Sequence, residues 1–542
     1  MAEWQPQVLG DALSRNAALA PNDEALVIAG RRLTWDEVWR GAQDVARGLR
    51  ALGVRHGDHV AVCMGNSVEW VFFFYGAALI GAVTVPVNTR FRTDEFAYCL
   101  KQAEVSLAFV VDRFLKIDFI AMLREIAPAI EERLPDPRLP KLANIVVLGT
   151  DVPPGATAFD DMLALGAAWD DPLPDDVSPG DALLMQFTSG TTSHPKGAML
   201  THDNMLRNAA YIAERFDLRP DDRYYSARPF YHVAGTTLSL LAALARRACL
   251  LSSPAFDPGE ALAVMAREQC TLTSGNDTMF LMMMGHPEFA SHKLDLRGGW
   301  ASAGPEVSRK IVERMGMRGL CHAYGLSEAS PNVCMSWHHD ELEKRIDGWG
   351  HVLEGVDVAI VDPHTGKELA PGKSGEILVR GWSVMQGYYR MPAETAKAID
   401  PEGWLHTGDL GVMDEDGRLK FLTRIKDVFR VGGENVAPAE VEEVLHRHAA
   451  VKQAQVIGVP HPRLGEVPAA YVILQTGANA TPEELIAWSR GRMATFRVPH
   501  YVKIVDSFDT IGMTGSAKVQ KNRLRAQALL DFGLSENQTT KA

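Results

Sequence analysis

The chain is poor in cysteine and carries fewer basic than acidic residues. Its six cysteines lie far apart among 542 residues, and no two of them form a Cys-x-x-Cys pair. This spacing argues against a zinc cluster and a disulfide framework, and it fits a reducing cytoplasm. With 55 Lys and Arg against 68 Asp and Glu, the net charge is -13, so no overall positive field attracts a phosphate backbone. We therefore expect a cytoplasmic protein without a nucleic-acid partner.

The chain also lacks a recognisable targeting signal and a clear membrane-spanning segment. Its first residues show no basic stretch followed by an apolar one, and its last residues carry no peroxisomal or prenylation signal. One uncharged run, residues 70–87, reaches the lower limit of spanning length, but Gly76, Gly81 and Pro86 interrupt it. The sequence therefore predicts a buried helix followed by a strand here, and no membrane span.

Length and hydrophobic patterning predict a multidomain α/β protein. Short β-rich runs such as HVAVCM and LAFVVD alternate with helical patterns such as WDEVWRGAQDVARGLRALG, which indicates parallel sheets covered by helices. Residues 357–381 contain paired short strands, and a new strand and helix pattern begins near residue 426. We expect a large domain over residues 1–425, made of two α/β subdomains and a β-rich subdomain, and a small α+β domain over residues 426–542.

Residues 188–197, TSGTTSHPKG, combine glycines, hydroxyl side chains and one lysine directly after an apolar strand. Backbone N–H groups beside glycines approach phosphate oxygens closely, Ser and Thr hydroxyls donate hydrogen bonds, and Lys196 adds positive charge. The segment is not a Walker A loop, because Pro195 precedes the lysine and Gly197 follows it. Composition alone leaves two interpretations, a phosphate-binding loop or a surface turn.

The order of further motifs favours the phosphate-binding interpretation. YGLSE at 324–328, WLHTGD at 404–409, RIKD at 424–427, GGENVAPAEVE at 432–442 and a late Lys518 follow in sequence. This set resembles the adenylate-forming enzymes, which comprise acyl-CoA synthetases, luciferases and peptide-synthetase adenylation domains, and the resemblance covers nearly the whole chain. It implies a two-step reaction with ATP, Mg²⁺ and CoA, in which a small-molecule carboxylic acid is activated as an acyl-adenylate.

The resemblance implies a nucleotide site built from several motifs. Tyr324, expected in a glycine-bounded turn, would stack on adenine, and Asp409, expected at the end of a strand, would bind the ribose hydroxyls with Arg424. Glu328 and Thr188 would hold Mg²⁺. From the residues alone, plainer interpretations remain open. Tyr324 could be a core residue and Glu328 a solvated side chain, and Asp409 and Arg424 could form a cross-strand ion pair on the surface. The implied nucleotide and CoA residues are Thr188, Ser189, Gly190, Thr191, Thr192, Lys196, Gly304, Pro305, Tyr324, Gly325, Ser327, Asp409, Arg424, Gly432 and Gly433.

The resemblance assigns catalysis to Lys518, Glu328 and His232. Lys518 would lie between the substrate carboxylate and the α-phosphate, where an ammonium offsets developing charge. Register with the family pattern selects it over an exposed lysine, although Gly512 and Ala517 replace the usual proline and glycine around it.

Two more positions have a role implied by the resemblance and a plainer alternative. His232 would lie beside the carboxylate pocket, although a lone histidine is more often a core residue. Lys426 matches the family's hinge, about which the small domain rotates between half-reactions.

The function expected from the resemblance is that of an AMP-forming acyl-CoA synthetase in fatty acid metabolism, acting on a small or medium-chain apolar acid. Asn276 and Asp277 leave a polar substrate tail open, and a homodimer is also left open. Alternatives are an acyl-adenylate-forming enzyme with another acceptor, either luciferase-like or a carrier-protein ligase, and a non-catalytic nucleotide-binding protein. The implied acid pocket comprises Tyr231, His232, Val233, Thr236, Gly275, Asn276, Gly304, Tyr324, Ala329 and Cys334.

Overall fold

The computed structural model describes residues 4–188, 195–513 and 519–535, which form three large sheets and one small one. The largest sheet contains, in spatial order, Val356–Val361, Ser374–Gly381, Leu405–Met413, Arg418–Arg424, Trp349–Val352, Asn332–Met335, Gly319–Gly325, Gly298–Ser302, Leu272–Asn276, Arg223–Tyr225, Cys249–Ser252, Glu24–Ile28 and Arg31–Thr34. The second contains Lys196–Thr201, Ala182–Thr188, Val83–Pro86, His59–Cys63, Leu107–Val111, Asn144–Leu148 and Thr157–Ala158. A small hairpin pairs Arg113–Phe114 with Ile117–Asp118.

Helices cover the faces of these sheets. The α-helices are Leu9–Leu19, Trp35–Ala51, Val68–Leu79, Thr93–Gln102, Phe119–Ile126, Phe159–Ala167, His202–Arg215, Val233–Gly235, Ala242–Arg246, Pro258–Arg267, Asp277–Met284, Pro305–Met315, Leu342–Ile346, Pro392–Ala398, Pro438–His446, Pro482–Arg490 and Lys521–Asp531. Short 3₁₀ turns occur at Pro128–Glu131, Phe289–Ser291, Ser327–Ala329, Ile425–Asp427 and Thr495–Arg497, and a π-helical turn at Thr236–Leu241.

The largest sheet changes from parallel to antiparallel pairing at strand Gly319–Gly325. This strand pairs parallel with Gly298–Ser302 on one side and antiparallel with Asn332–Met335 on the other. The parallel half confirms the predicted α/β part, and the antiparallel half, which includes Val356–Val361 paired with Ser374–Gly381, confirms the predicted β-rich part. The carboxyl ends of the parallel strands meet at one edge, where α/β proteins bind their ligands.

The uncharged run at residues 70–87 forms a buried helix and strand, as predicted. Helix Val68–Leu79 begins at Ser67, whose hydroxyl accepts a hydrogen bond from the Trp70 amide, and Val83–Pro86 then enters the middle of the second sheet. Trp70 and Phe73 are fully buried in the main core. In the described part of the chain, no helix combines the length and apolar character needed to cross a membrane.

The last part of the chain builds a separate sheet with its own core. Its strands are, in spatial order, Glu434–Val436, Phe429–Val431, Gly465–Leu474 and Val451–His461, with Tyr501–Ile504 also paired to Gly465–Leu474. A compact apolar cluster that includes Val436, Leu445 and Tyr471 fills this lobe. The proposed boundary at residue 426 lies in the turn Ile425–Asp427, between the last strand of the large sheet and the first strand of this small one.

A partly buried carboxylate, that of Glu443, joins the small lobe to the large one. Glu443 Oε1 accepts a hydrogen bond of 3.1 Å from the Glu306 amide in the first turn of helix Pro305–Met315. Lys310 Nζ on the same helix donates to the His446 carbonyl. A carboxylate is stabilised by the free N–H groups and the dipole of a helix N-terminus. Burial nevertheless raises the pKa of Glu443, which is only partly offset by the hydrogen bond and by Arg447.

This contact predicts a pH-dependent stability that Glu443→Gln removes. Because the folded-state pKa of Glu443 is raised, its contribution to the free energy of unfolding is fully present below about pH 4.3 and is lost as pH rises through the raised pKa. The neutral amide keeps an oxygen acceptor for the Glu306 amide. The melting temperature of Glu443→Gln should therefore rise relative to the unsubstituted chain between pH 4.3 and pH 7.

The matched control for this experiment is Glu440→Gln, which alters a glutamate of the same helix that pairs with Arg497 inside the small lobe. Calorimetric melting temperatures of the three full-length chains across the pH range make the comparison. Parallel curves for Glu443→Gln and the unsubstituted chain would contradict the assignment.

Candidate active site

Three residues of the predicted nucleotide site meet at strand Gly319–Gly325, where the largest sheet changes from parallel to antiparallel pairing. The Tyr324 hydroxyl donates a 2.9 Å hydrogen bond to Asp409 Oδ2, and Arg424 Nε lies 3.5 Å from Asp409 Oδ1. The Tyr324 ring stacks on Phe421 with ring centres 5.2 Å apart. Asp409 and Arg424 are directly opposite each other on neighbouring antiparallel strands. Sequence motifs far apart in the chain therefore converge at one point.

Two local expectations about these residues were wrong. Tyr324 lies within strand Gly319–Gly325 rather than in a turn, because antiparallel pairing with Cys334 continues the strand through it. Asp409 lies in the middle of strand Leu405–Met413 rather than at its end, because pairing with Arg418–Arg424 extends beyond it.

Burial dominates the electrostatics of this cluster. Asp409 is 5% exposed and Tyr324 is 6% exposed, so the cross-strand pair with Arg424 has a buried carboxylate instead of being a surface ion pair. Burial, followed by the charge of Asp409, raises the pKa of Tyr324 well above its usual range, and the phenol stays protonated as a donor. Burial, followed by the positive charge of Arg424, lowers the pKa of Lys426 nearby.

Glycine at position 325 allows the chain to turn towards Glu328. A Cβ atom there would come within 2.1 Å of the Pro331 carbonyl oxygen, a separation that no side chain tolerates. The turn Ser327–Ala329 follows, and the backbone carbonyl of Glu328 accepts a hydrogen bond from the Met385 amide. Glu328 is thereby held four residues beyond Tyr324 at the same edge of the sheet.

Tyr388 links Glu328 to Lys196, a connection that sequence reasoning missed. Its hydroxyl donates a 2.8 Å hydrogen bond to Glu328 Oε1, and Lys196 Nζ lies 4.4 Å from the centre of its ring. Lys196 Nζ also lies 3.4 Å from Glu394 Oε2. The predicted phosphate-binding lysine and the predicted metal-binding carboxylate thus share one aromatic side chain.

Backbone pairing places Tyr388 there. Strand Lys196–Thr201 hydrogen-bonds on its outer side to residues 386–389, through Met199 N to the Gly387 carbonyl and Tyr389 N to the Gly197 carbonyl. Burial, followed by the charge of Glu328, raises the pKa of the Tyr388 hydroxyl, which remains a donor. The segment QGYYRMP has no motif that marks it, and its partners are remote in sequence, so only tertiary pairing reveals the contact.

Gly304 and Pro305 begin helix Pro305–Met315 at the end of the neighbouring parallel strand. Proline suits the first helical position because its missing N–H would have no intrahelical acceptor. A Cβ atom on Gly304 would lie 3.2 Å from Glu443 Oε2, so the small lobe approaches this position closely. Both residues lie on the same sheet edge as Tyr324.

His232 begins the helical segment that contains the π-helical turn Thr236–Leu241. Its Nδ1 accepts a 3.1 Å hydrogen bond from the Ala234 amide, which fixes the ring. Extra residues in a π-helical turn are frequent beside functional sites.

Gly432 and Gly433 form the exposed turn between Phe429–Val431 and Glu434–Val436. Their φ angles of +60° and +97° favour glycine, and the Gly432 amide donates to the Leu464 carbonyl within the small lobe. The remaining predicted site residues, Ser189, Gly190, Thr191, Thr192 and Lys518, lie outside the described residues, as do Ser193 and Ala517. Thr188 and Lys196 are paired with each other on neighbouring antiparallel strands.

Comparison with known proteins identifies the family. The AMP-binding enzyme model matches residues 13–389, and the AMP-binding enzyme C-terminal domain model matches residues 440–518. The chain is 36% identical to YngI of Bacillus subtilis, named as a candidate acyl-CoA synthetase, across 99% of this chain and 100% of that protein. It is 33% identical to the mitochondrial medium-chain acyl-CoA ligase ACSF2 of Rattus norvegicus, across 96% and 87%.

A solved structure supports the same conclusion. The anthranilate CoA ligase AuaEII in complex with anthranoyl-AMP superposes with a TM-score of 0.88 at 25% identity, covering 98% of this chain and 99% of that one. The similarity therefore extends over both lobes. The chain belongs to the AMP-binding enzyme family and is an AMP-forming acyl-CoA synthetase of the adenylate-forming enzymes, which uses ATP and CoA.

Proposed function

We propose that the enzyme activates a carboxylic acid of medium chain length, with an apolar chain next to its carboxylate, in cytoplasmic fatty acid metabolism. The observation that carries the site assignment is the convergence of the Tyr324–Asp409–Arg424 cluster and the Lys196–Tyr388–Glu328 chain at one sheet edge. The name of the rat relative supports medium chain length. All six cysteines are free and buried, which supports a reducing compartment.

In the first half-reaction, a carboxylate oxygen of the acid attacks the α-phosphorus of ATP and the bond to pyrophosphate breaks. In this proposal, Asp409 accepts hydrogen bonds from the ribose hydroxyls with Arg424 beside it, and Tyr324, Gly304 and Pro305 border the adenine. The phosphates lie along Thr188, the loop that follows it, Lys196 and the turn with Gly325 and Ser327. Oriented groups of this kind lower the barrier by positioning and by preorganised charge.

The proposed catalytic role of Lys518 is supported by the described residues that precede it in the chain. Arg90 Nη1 donates a 3.4 Å hydrogen bond to the Met513 carbonyl. Arg90 follows strand Val83–Pro86, which runs parallel to Ala182–Thr188, so both strands lead to the same sheet edge. Met513, the last described residue before Lys518, therefore lies beside the edge at which strand Ala182–Thr188 ends. His232, which belongs to the large lobe, would border the acid.

The oxygen ligands available at Glu328 fit Mg²⁺. The cation prefers one or two carboxylates together with phosphate oxygens over an all-protein cage. Within the described ranges, no group of three or more His, Cys, Asp and Glu residues could hold a metal ion by itself. Glu328 uses Oε1 for Tyr388 and keeps a second carboxylate oxygen. Thr188 pairs with Lys196, whose ammonium lies against the Tyr388 ring. Bound Mg²⁺ would neutralise charge on the phosphate oxygens.

In the second half-reaction, the CoA thiol loses its proton and attacks the acyl carbonyl, and AMP leaves. We propose that the small lobe rotates about Lys426 between the two steps, so that Lys518 withdraws and Gly432 and Gly433 approach to border the pantetheine arm. The position of Lys426 in a short turn between the two sheets supports this hinge.

The proposed function is tested by incubating the purified chain with ATP, Mg²⁺, CoA and carboxylic acids from short to long chain, branched, cyclic and aryl. Mass spectrometry should detect acyl-CoA and an equal amount of AMP, with the highest kcat/KM for acids of medium length. AMP without acyl-CoA would point to another acceptor, as in a luciferase or a carrier-protein ligase. A preference for short or aryl acids would refute the proposed chain length.

The hinge predicts a selective defect for Lys426→Pro. Proline fixes φ at this position and restricts Ile425 before it, so the turn loses the freedom that rotation needs. Exchange of pyrophosphate into ATP should remain close to that of the unsubstituted chain, whereas conversion of isolated acyl-AMP and CoA to thioester should fall about 100-fold. Lys426→Ala, which keeps backbone freedom, is the control. Equal losses in both half-reactions would rule out this division of roles.

The chain from Lys196 to Glu328 predicts a nucleotide-binding defect for Tyr388→Phe. Losing a hydrogen bond to a charged group should raise the KM for Mg²⁺·ATP about tenfold, and the rise should shrink as free Mg²⁺ increases. Calorimetric binding of Mg²⁺·ATP gives a readout independent of turnover. The matched control is Tyr389→Phe, which loses a hydrogen bond to Glu104 instead. Similar KM values for both variants would contradict the role given to Tyr388.

A further inference from the structure

Arg228 is a buried cation that the proposed mechanism does not use. It is 7% exposed, and its Nε and Nη2 atoms are buried without a hydrogen-bond partner. Its guanidinium carbon lies 4.3 Å from the centre of the Trp300 ring, over strand Gly298–Ser302. Burial lowers the pKa of Arg228 to about 10, so the side chain remains charged at neutral pH.

Arg228 belongs to one of the two segments that border the proposed acid pocket and faces the other. Its own segment runs on to His232 and the helix that follows. The other segment is the end of strand Leu272–Asn276. Asp277, next to Asn276, is close enough to act on the charge of Arg228. Asn66 fixes the backbone here, because Nδ2 donates to the Arg228 carbonyl and Oδ1 accepts from the Phe230 amide.

The pleat of the sheet places Arg228 at the closed end of this pocket. Trp300 is opposite Ser274, and Ser302 is opposite Asn276, two residues further towards the carboxyl edge. Residues two apart along a strand share a face, so all four lie on one face. Ser302 is exposed at the edge, whereas Trp300 is buried about 7 Å deeper under the guanidinium. The face is therefore open at Ser302 and closed by Arg228.

The polar side chains around Arg228 form hydrogen bonds with one another. Trp300 Nε1 donates to the Tyr224 hydroxyl at 3.0 Å, and that hydroxyl donates to Ser274 Oγ at 2.7 Å. Ser274 Oγ donates a hydrogen bond to Ser226 Oγ at 3.3 Å, and Ser226 Oγ lies 2.8 Å from Ser239 Oγ. None of these groups supplies an acceptor to Arg228 Nε or Nη2.

Leaving donors of a buried cation without acceptors costs the desolvation free energy of each group. The planar guanidinium fork matches an oxygen acceptor, and best of all a carboxylate. A ligand that brings such an oxygen to the closed end would recover this cost, whereas a methyl group would not.

We infer that Arg228 selects acids whose far end carries a hydrogen-bond-accepting oxygen, either a second carboxylate or a carbonyl. This inference rests on the proposed function, because it assigns the face above Arg228 to the acyl chain. The chain between the two ends contacts apolar residues, and the distal oxygen contacts the guanidinium. Arg228 is thus a specificity-determining residue and takes no part in bond making.

The test compares three acids at each medium chain length: the plain monocarboxylate, the acid with a ketone next to its terminal methyl, and the dicarboxylate. Acyl-CoA formation gives kcat/KM for each acid with the unsubstituted chain, Arg228→Met and Arg246→Met. Methionine keeps much of the volume but removes the charge and the donors. Arg246, at the end of helix Ala242–Arg246, is the control arginine.

With the unsubstituted chain, kcat/KM should be higher for one or both oxygenated acids than for the plain acid of equal length. Arg228→Met should lower that ratio about 10-fold to 100-fold, and Arg246→Met should leave it unchanged. A higher ratio for the dicarboxylate than for the ketone identifies a carboxylate partner, and the reverse identifies a neutral carbonyl. A preference for the plain acid, or a ratio unaffected by Arg228→Met, would overturn the inference.

Acid binding to the chain saturated with AMP, measured by calorimetry, separates this inference from the proposed function. Oxygenated acids that bind and lose affinity in Arg228→Met, without forming acyl-CoA, would refute the proposed reaction and retain the role of Arg228. Acyl-CoA formation from plain acids alone would support the proposed reaction and refute the role of Arg228. A cooperative thermal transition of Arg228→Met, at a melting temperature no lower than that of the unsubstituted chain, verifies that the variant folds.

Discussion

The two-sided pairing of strand Gly319–Gly325 is the constraint on which the rest of the site depends. Its parallel neighbour brings Gly304 and Pro305 to the sheet edge, and its antiparallel side leads to the strands that carry Asp409 and Arg424. Neither half of the sheet alone would bring together the residues proposed to border adenine and to bind the ribose. The change of strand direction therefore decides where these residues meet.

Buried charge is the second common element of the site. Asp409 has Tyr324 and Arg424, and Glu328 has Tyr388, so each carboxylate has a hydrogen-bond or ion-pair partner within the protein. Burying a charge is costly unless it is paired and hydrogen-bonded. Partners that already orient these oxygens reduce the rearrangement needed when nucleotide arrives. Arg228 differs because its Nε and Nη2 atoms have no hydrogen-bond acceptor, and this is the basis for the inference that it binds the substrate.

The contact between Glu443 and helix Pro305–Met315 connects the nucleotide site to the position of the small lobe. The helix whose first residues are proposed to border adenine also receives a carboxylate from that lobe. Rotation about Lys426 would remove this carboxylate from the helix N-terminus. In the proposed rotation, the free energy of this contact would contribute to the balance between the two arrangements of the small lobe.

The sequence by itself determined the α/β class, the β-rich segment, the buried helix at residues 70–87 and the family, because periodicity and ordered motifs are local properties of the chain. It also named Tyr324, Asp409 and Arg424, but placed the first in a turn and the second at a strand end, since strand pairing sets those limits. Only the tertiary structure decided the partners of Tyr388, Glu443 and Arg228. Their contacts join segments remote in sequence, and pairing across a sheet leaves no local signal in either segment.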